Sequence, residues 1–102
     1  MKAKLTYSRT ESKDNNRYGI YRLTDNGLSP KAQAGDEIQI DTRAEIKSGD
    51  MVAVFVNGET LLRQYHKVGA ETIFNASQPG YEPIIAEEFA IIGKAVRLYR
   101  KL

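Results

Sequence analysis

Apolar positions in this chain come in short runs broken by turn-forming residues, and no stretch keeps a helical period. Residues 18–24 (YGIYRLT) alternate large apolar with smaller or polar side chains. That is the pattern of a strand with one buried face, with Ile20 and Leu23 as core contacts. Residues 37–41 (EIQID) place Ile38 and Ile40 on one face of a strand. The continuous run MVAVFV, residues 51–56, predicts a strand covered on both faces. It is followed by Asn57-Gly58, the pair that best accepts the positive φ values of a type I′ turn, so residues 59–68 (ETLLRQYHKV) are expected to fold back antiparallel on it. A turn at Gly69-Ala70 leads into a strand at residues 71–75 (ETIFN). Residues 88–99 (EFAIIGKAVRLY) read as one long strand or as two bent at Gly93. A first strand is expected at residues 3–7, then a flexible polar loop over residues 8–16 (SRTESKDNN). Residues 25–34 and 77–83 hold the prolines and several other turn formers, and read as loops.

These elements predict an all-β single domain of about seven mainly antiparallel strands, a sandwich or partly open barrel. Its expected division is an N-terminal strand and polar segment over residues 1–17 and a β domain over residues 18–102. Two Gly-Asp pairs, Gly35-Asp36 and Gly49-Asp50, each open a strand. Composition narrows the function. With 41% hydrophobic and 27% charged residues the chain can form a core, which excludes general disorder. There is no cysteine, so disulfides, thiolate metal sites and cysteine nucleophiles are excluded. The lone His66 does not make a metal site, the acids follow no ion-binding loop pattern, and no metal or cofactor is expected. No apolar run approaches the length of a membrane span, and no signal segment is evident, which reads as a soluble cytoplasmic protein with no membrane partner. A net charge of +2 makes no case for direct nucleic-acid binding. The basic residues near the end, Lys94, Arg97, Arg100 and Lys101, read as a charged strand edge that resists aggregation.

Four blocks then fall in order: NGLSPKAQAGDEIQID, SGDMVAVFVNGETLLRQYHK, IFNASQPGYEPI and FAIIGKAVRLYR. Together they resemble the LexA/signal-peptidase-like family, which includes the C-terminal domains of LexA, of phage CI-type repressors and of UmuD. The resemblance runs from Tyr18 to the C-terminus and implies the partly open β-barrel or sandwich of the LexA C-terminal domain. It also implies a serine–lysine dyad, in which a serine attacks a peptide carbonyl and a buried neutral lysine takes its proton.

Aligning Asn26, Leu28, Pro30 and Gly35-Asp36 with the family pattern puts Gly27 at the serine. Aligning TLLRQY with the family's T-x-K-R element puts Arg63 at the lysine. Glycine carries no nucleophile, and arginine holds its proton too firmly to act as a general base. The resemblance therefore implies a catalytically degenerate member with no catalytic residue, and a vestigial cleft at Asn26, Leu28 and Ser29. The plainer readings are that Gly27 permits a tight turn and that Arg63 is a solvated strand residue. Ser29, two residues along and before a proline, reads as a turn serine. Lys67 lies about 13 Å from Arg63 along the strand, at about 3.3 Å per residue, too far to replace it. His66 alternates to the other face and reads as a half-buried strand histidine. The pairs Ala-Gly and Cys-Gly, the family's scissile bonds, do not occur before Gly27, and the first seventeen residues are too few and polar for a helix-turn-helix. The chain is then either a piece of a longer repressor or a free-standing domain.

In the repressor relatives this domain also dimerises the protein, which makes contact with the second DNA half-site effectively intramolecular. The expected role is self-association as a homodimer or higher oligomer, or interaction with a protein or peptide, linked to transcriptional regulation. The candidate interface is Ala95, Arg97 and Tyr99, alternating on the last strand. The alternatives are a serine peptidase with unorthodox catalytic residues and a peptide-binding module that uses the vestigial cleft.

Overall fold

The computed structural model describes residues 5–10 and 17–101, and all the regular structure in them is β. The strands are β1 (Leu5–Thr10), β2 (Tyr18–Leu23), β3 (Glu37–Asp41), β4 (Met51–Val56), β5 (Glu59–Val68), β6 (Glu71–Asn75), β7 (Ile84–Ala86) and β8 (Ala90–Tyr99). They form one sheet in the order β1-β2-β3-β8-β4-β5-β6-β7, with every neighbouring pair antiparallel. The sheet curls until β1 comes into contact with β5. This is the partly open barrel of the two expected architectures, because a sandwich needs two sheets.

The elements follow the sequence pattern with four differences. β1 runs on to Thr10 across a bulge between Tyr7 and Arg9, so residues 8–10 are strand and not loop. An edge strand accepts polar side chains because much of its surface meets water. Residues 3 and 4 of the expected first strand, and residues 11–16 of the expected loop, lie outside the described residues. β7 is an additional strand, too short at three residues to show alternation. The last segment is a single strand, β8, with two bulges. Its pairing skips Ile92 against β4 and Val96 against β3. Gly93 does not break the strand. It lets β3 come close, since a β-carbon there would stand 2.5 Å from the Asp41 carbonyl oxygen. Finally, β4 is covered on both faces only in part. Val52, Ala53 and Val54 are fully buried, whereas Phe55 is 49% exposed.

Two apolar clusters fill the curl. One gathers Leu5, Leu23, Leu28, Ile38, Ile40 and Leu62, with Ala53 reaching it from β4. The other gathers Val52, Val54, Val56, Leu61 and Phe74. The alternation of β4 thus feeds one cluster from each face. Ile20 and Leu23 are both buried, as the pattern of β2 predicts. Asn57 and Gly58 adopt φ of 53° and 78°, both in the left-handed region that a type I′ hairpin turn requires.

The two Gly-Asp pairs build the same turn twice. In one, the Asp36 carboxylate accepts from the Gln33 amide at 2.8 Å. In the other, Asp50 accepts from the Lys47 amide at 2.8 Å. Each carboxylate then receives a cation from β8 or just beyond it. Arg100 donates two hydrogen bonds to Asp36, at 2.9 and 2.7 Å, and Lys94 lies 3.5 Å from Asp50. Two of the four basic residues near the C-terminus are therefore committed to tying the last strand to the turns that open β3 and β4.

Candidate functional site

The loop between β2 and β3 is closed at its base by backbone hydrogen bonds between Leu23 and both Gly35 and Asp36. Inside it, the Asn26 side-chain oxygen accepts from the Ala34 amide at 2.9 Å, and Leu28 and Ala32 are buried in the first apolar cluster. The loop is thereby fixed at both ends and in the middle. Its Ser29–Pro30 peptide is cis.

Arg63 reaches this loop from β5. It is only 5% exposed, which overturns the reading of a solvated strand residue. Its guanidinium donates to the Asp25 carboxylate at 3.0 and 3.4 Å and to the Leu62 carbonyl at 2.7 Å. The Tyr81 ring lies across it, with the guanidinium carbon 5.4 Å from the ring centroid. Arg63 Nε is buried and finds no partner among the described residues, an omission worth about 1–3 kcal/mol against the fold.

Gly27 sits directly beneath that guanidinium. A β-carbon on Gly27 would stand 2.9 Å from both Cζ and Nη1 of Arg63, inside the closest approach real side chains make. Gly27 is not among the residues with positive φ, so the reason for glycine here is space and not backbone conformation. The Gly27 amide donates to Asp25 at 3.3 Å. Its carbonyl accepts from the amides of Ser77 and Gln78, at 2.7 and 3.1 Å. The Gln78 side chain adds a bond to the Ser29 carbonyl at 2.7 Å, and the Tyr81 hydroxyl accepts from the Asn26 amide at 3.4 Å. The loop between β6 and β7 thus closes over the loop between β2 and β3.

The two positions singled out in the sequence, 27 and 63, are brought into contact although they lie on different elements. Asn26 and Ser29 flank them, while Leu28 points into the core and is 4% exposed. Lys67 is exposed, four residues further along β5, and His66 is half-buried opposite Ile73. Asp25 and Tyr81 were missed. Asp25 carried a signal, since a buried arginine demands a carboxylate and Asp25 stands two residues before Gly27. Among the described residues no group of three or more His, Cys, Asp or Glu side chains could hold a metal ion. No helix there is long and apolar enough to cross a membrane.

The bulge at Val96 alters the face presented by β8. Ala95 and Leu98 both pack on the first apolar cluster, so Ala95 does not share a face with Arg97 and Tyr99. Val96, at the bulge, is 45% exposed.

A glycine under a buried arginine, on this sheet and between these two loops, stands where the first three of the four sequence blocks converge. The match to the Peptidase S24-like family model extends over residues 2–96, almost the whole chain. The chain belongs to the Peptidase S24-like family. Its curated relatives include a protein named LexA repressor from Acidothermus cellulolyticus, 31% identical over 68 residues, which are 67% of this chain and 25% of the relative. The LexA repressor of Clostridium perfringens is 29% identical over 89 residues, 86% of this chain and 44% of the relative. That of Mycolicibacterium smegmatis is 28% identical over 68 residues. The chain thus spans less than half the length of these relatives. Within the Peptidase S24-like fold, the β2–β3 loop and β5 come together at an ion pair, Asp25–Arg63.

Proposed function

We propose that this Peptidase S24-like domain is non-catalytic and serves self-association or protein interaction in the cytoplasm, in the transcriptional regulation that its LexA repressor relatives suggest. Gly27 and Arg63 are then the degenerate positions of a serine–lysine dyad. The observation that carries this reading is the Arg63 guanidinium seated over the bare α-carbon of Gly27 and paired with Asp25. A nucleophile and a neutral base are both missing at that point, and the volume a serine side chain needs is filled. Among the described residues, neither Ser29 nor His66 has a hydrogen-bonded partner there that could activate it as nucleophile or base. Incubation of the purified chain near pH 10.5, where about half of a lysine base of ordinary pKa has lost its proton, tests this by intact mass. No fragment is expected. A defined fragment that vanishes in a Ser29→Ala variant overturns the non-catalytic reading.

Self-association is supported by the free part of β8. Against β4 its pairing ends at Lys94, whereas against β3 it runs on to Tyr99. Residues 96–99 therefore offer one unpaired backbone edge among the described residues, with Val96, Arg97 and Tyr99 on it. Sedimentation over a concentration series is expected to show a dimer that Val96→Lys weakens. A monomer at the highest concentration overturns this part of the reading.

A further inference from the structure

At the other end of the sheet, β7 is an edge strand that pairs only with β6 among the described residues. Its central side chain, Ile85, is 62% exposed. Beside it stands Phe89, 36% exposed, whose ring is held edge-on against the buried Phe74 ring at 5.1 Å between centroids. Phe89 separates two grooves. One, of about 490 Å³, is lined by Ile85, Glu71, Glu87 and Lys67. The other, of about 400 Å³, holds Phe55 and Glu88. Exposed apolar side chains thus line both grooves, Phe55 with Phe89 in one and Ile85 with Phe89 in the other, beside an open strand edge.

The charge around the grooves selects the occupant. Glu71, Glu87 and Glu88 are exposed and make no ion pair among the described residues. Lys67 is the one basic residue among those that line the two grooves. Two copies of this surface would set carboxylates against carboxylates, and a nucleic acid would meet the same repulsion. A cationic extended segment meets neither obstacle. Such a segment satisfies the free backbone groups of β7, fills the grooves with alternate side chains, and neutralises the glutamates with the rest.

We propose that the outer edge of β7, with the two grooves meeting at Phe89, binds an extended segment of a protein partner in which apolar residues alternate with lysine or arginine. This site is separate from the free part of β8, and the proposal stands whether or not the domain self-associates.

A fluorescent peptide of alternating valine and lysine, titrated with the full chain, tests it by anisotropy. Saturable binding is expected, with the amides of residues 84–86 as the centre of chemical-shift change. Affinity should fall at least tenfold in a Glu87→Lys, Glu88→Lys variant, which alters only exposed side chains and should keep its circular dichroism. The same peptide with glutamate for lysine should not bind. A peptide N-methylated on alternate amides should bind at least tenfold more weakly, because it cannot add to the sheet. Absence of saturable binding up to about 1 mM overturns the proposal, as does binding unchanged by the charge reversal. Equal binding of the N-methylated peptide, or shifts centred away from β7, also overturns it.

Discussion

The guanidinium of Arg63 and the α-carbon of Gly27 are mutually dependent: the first occupies the volume that any side chain on the second would need. Gly27→Ser alone should therefore destabilise the fold by about 1–3 kcal/mol, the usual range for overpacking a well-filled site. Combining it with Arg63→Lys removes the planar head group from that volume, so the double variant should be less destabilised than the sum of the single changes. Urea unfolding of the four proteins measures the coupling. Strict additivity would show that the two positions do not compete for space.

Asp25 and Arg63 are each about 6% exposed in their side chains, so their pairing is buried on both sides. Asp25→Ala leaves an uncompensated charge and should cost about 3–5 kcal/mol, whereas replacing both residues with apolar ones should cost much less. Thermal unfolding distinguishes the two variants. If Asp25→Ala falls within a few tenths of a kcal/mol of the native chain, the ion pair is not buried in solution.

Acid should loosen the ties that hold the ends of β3. Arg100 holds the Asp36 carboxyl below its usual range, chiefly through hydrogen bonding, and Arg17 does the same for Asp41. The folded state then binds protons more weakly than the unfolded state. This stabilisation is complete above the unfolded carboxylate range, near pH 4, and is lost as pH falls through the lower folded values. Denaturant midpoints at pH 7 and pH 3 should therefore differ, and Arg100→Gln should narrow the gap by lowering the value at pH 7. An unchanged gap would remove Asp36 from the acid response.

At the β4–β5 hairpin, Asn57→Gly should change stability by a few tenths of a kcal/mol. Asn57→Val should cost about 1–2 kcal/mol, because a β-branched residue resists the left-handed conformation. Similar unfolding midpoints for the two would mean that the turn does not need φ of 53° at Asn57.

Much of this was readable from local pattern. Alternation located β2 and β3, and Asn57-Gly58 located the hairpin, because period and turn chemistry are local properties. The sheet order was not readable. Nothing in EFAIIGKAVRLY says that its pairing skips Ile92 and Val96, and those skips decide which of Ala95, Arg97 and Tyr99 share a face. At the candidate site, the motif register marked positions 27 and 63, yet the burial of Arg63 depends on Asp25 and Tyr81. These are brought to it by loops 38 residues before it and 18 after it, and no local pattern encodes that meeting.

The placement of β8 between β3 and β4 has a consequence for how the protein is made. Until residues 90–99 have left the ribosome, β1–β3 and β4–β7 share no hydrogen-bonded strand, and the facing edges of β3 and β4 stay open. The nascent chain must carry two unjoined half-sheets until β8 has emerged. Its exposure to misassembly thus lasts until β8 is available, and a stop before residue 90 would release a polypeptide with both edges bare.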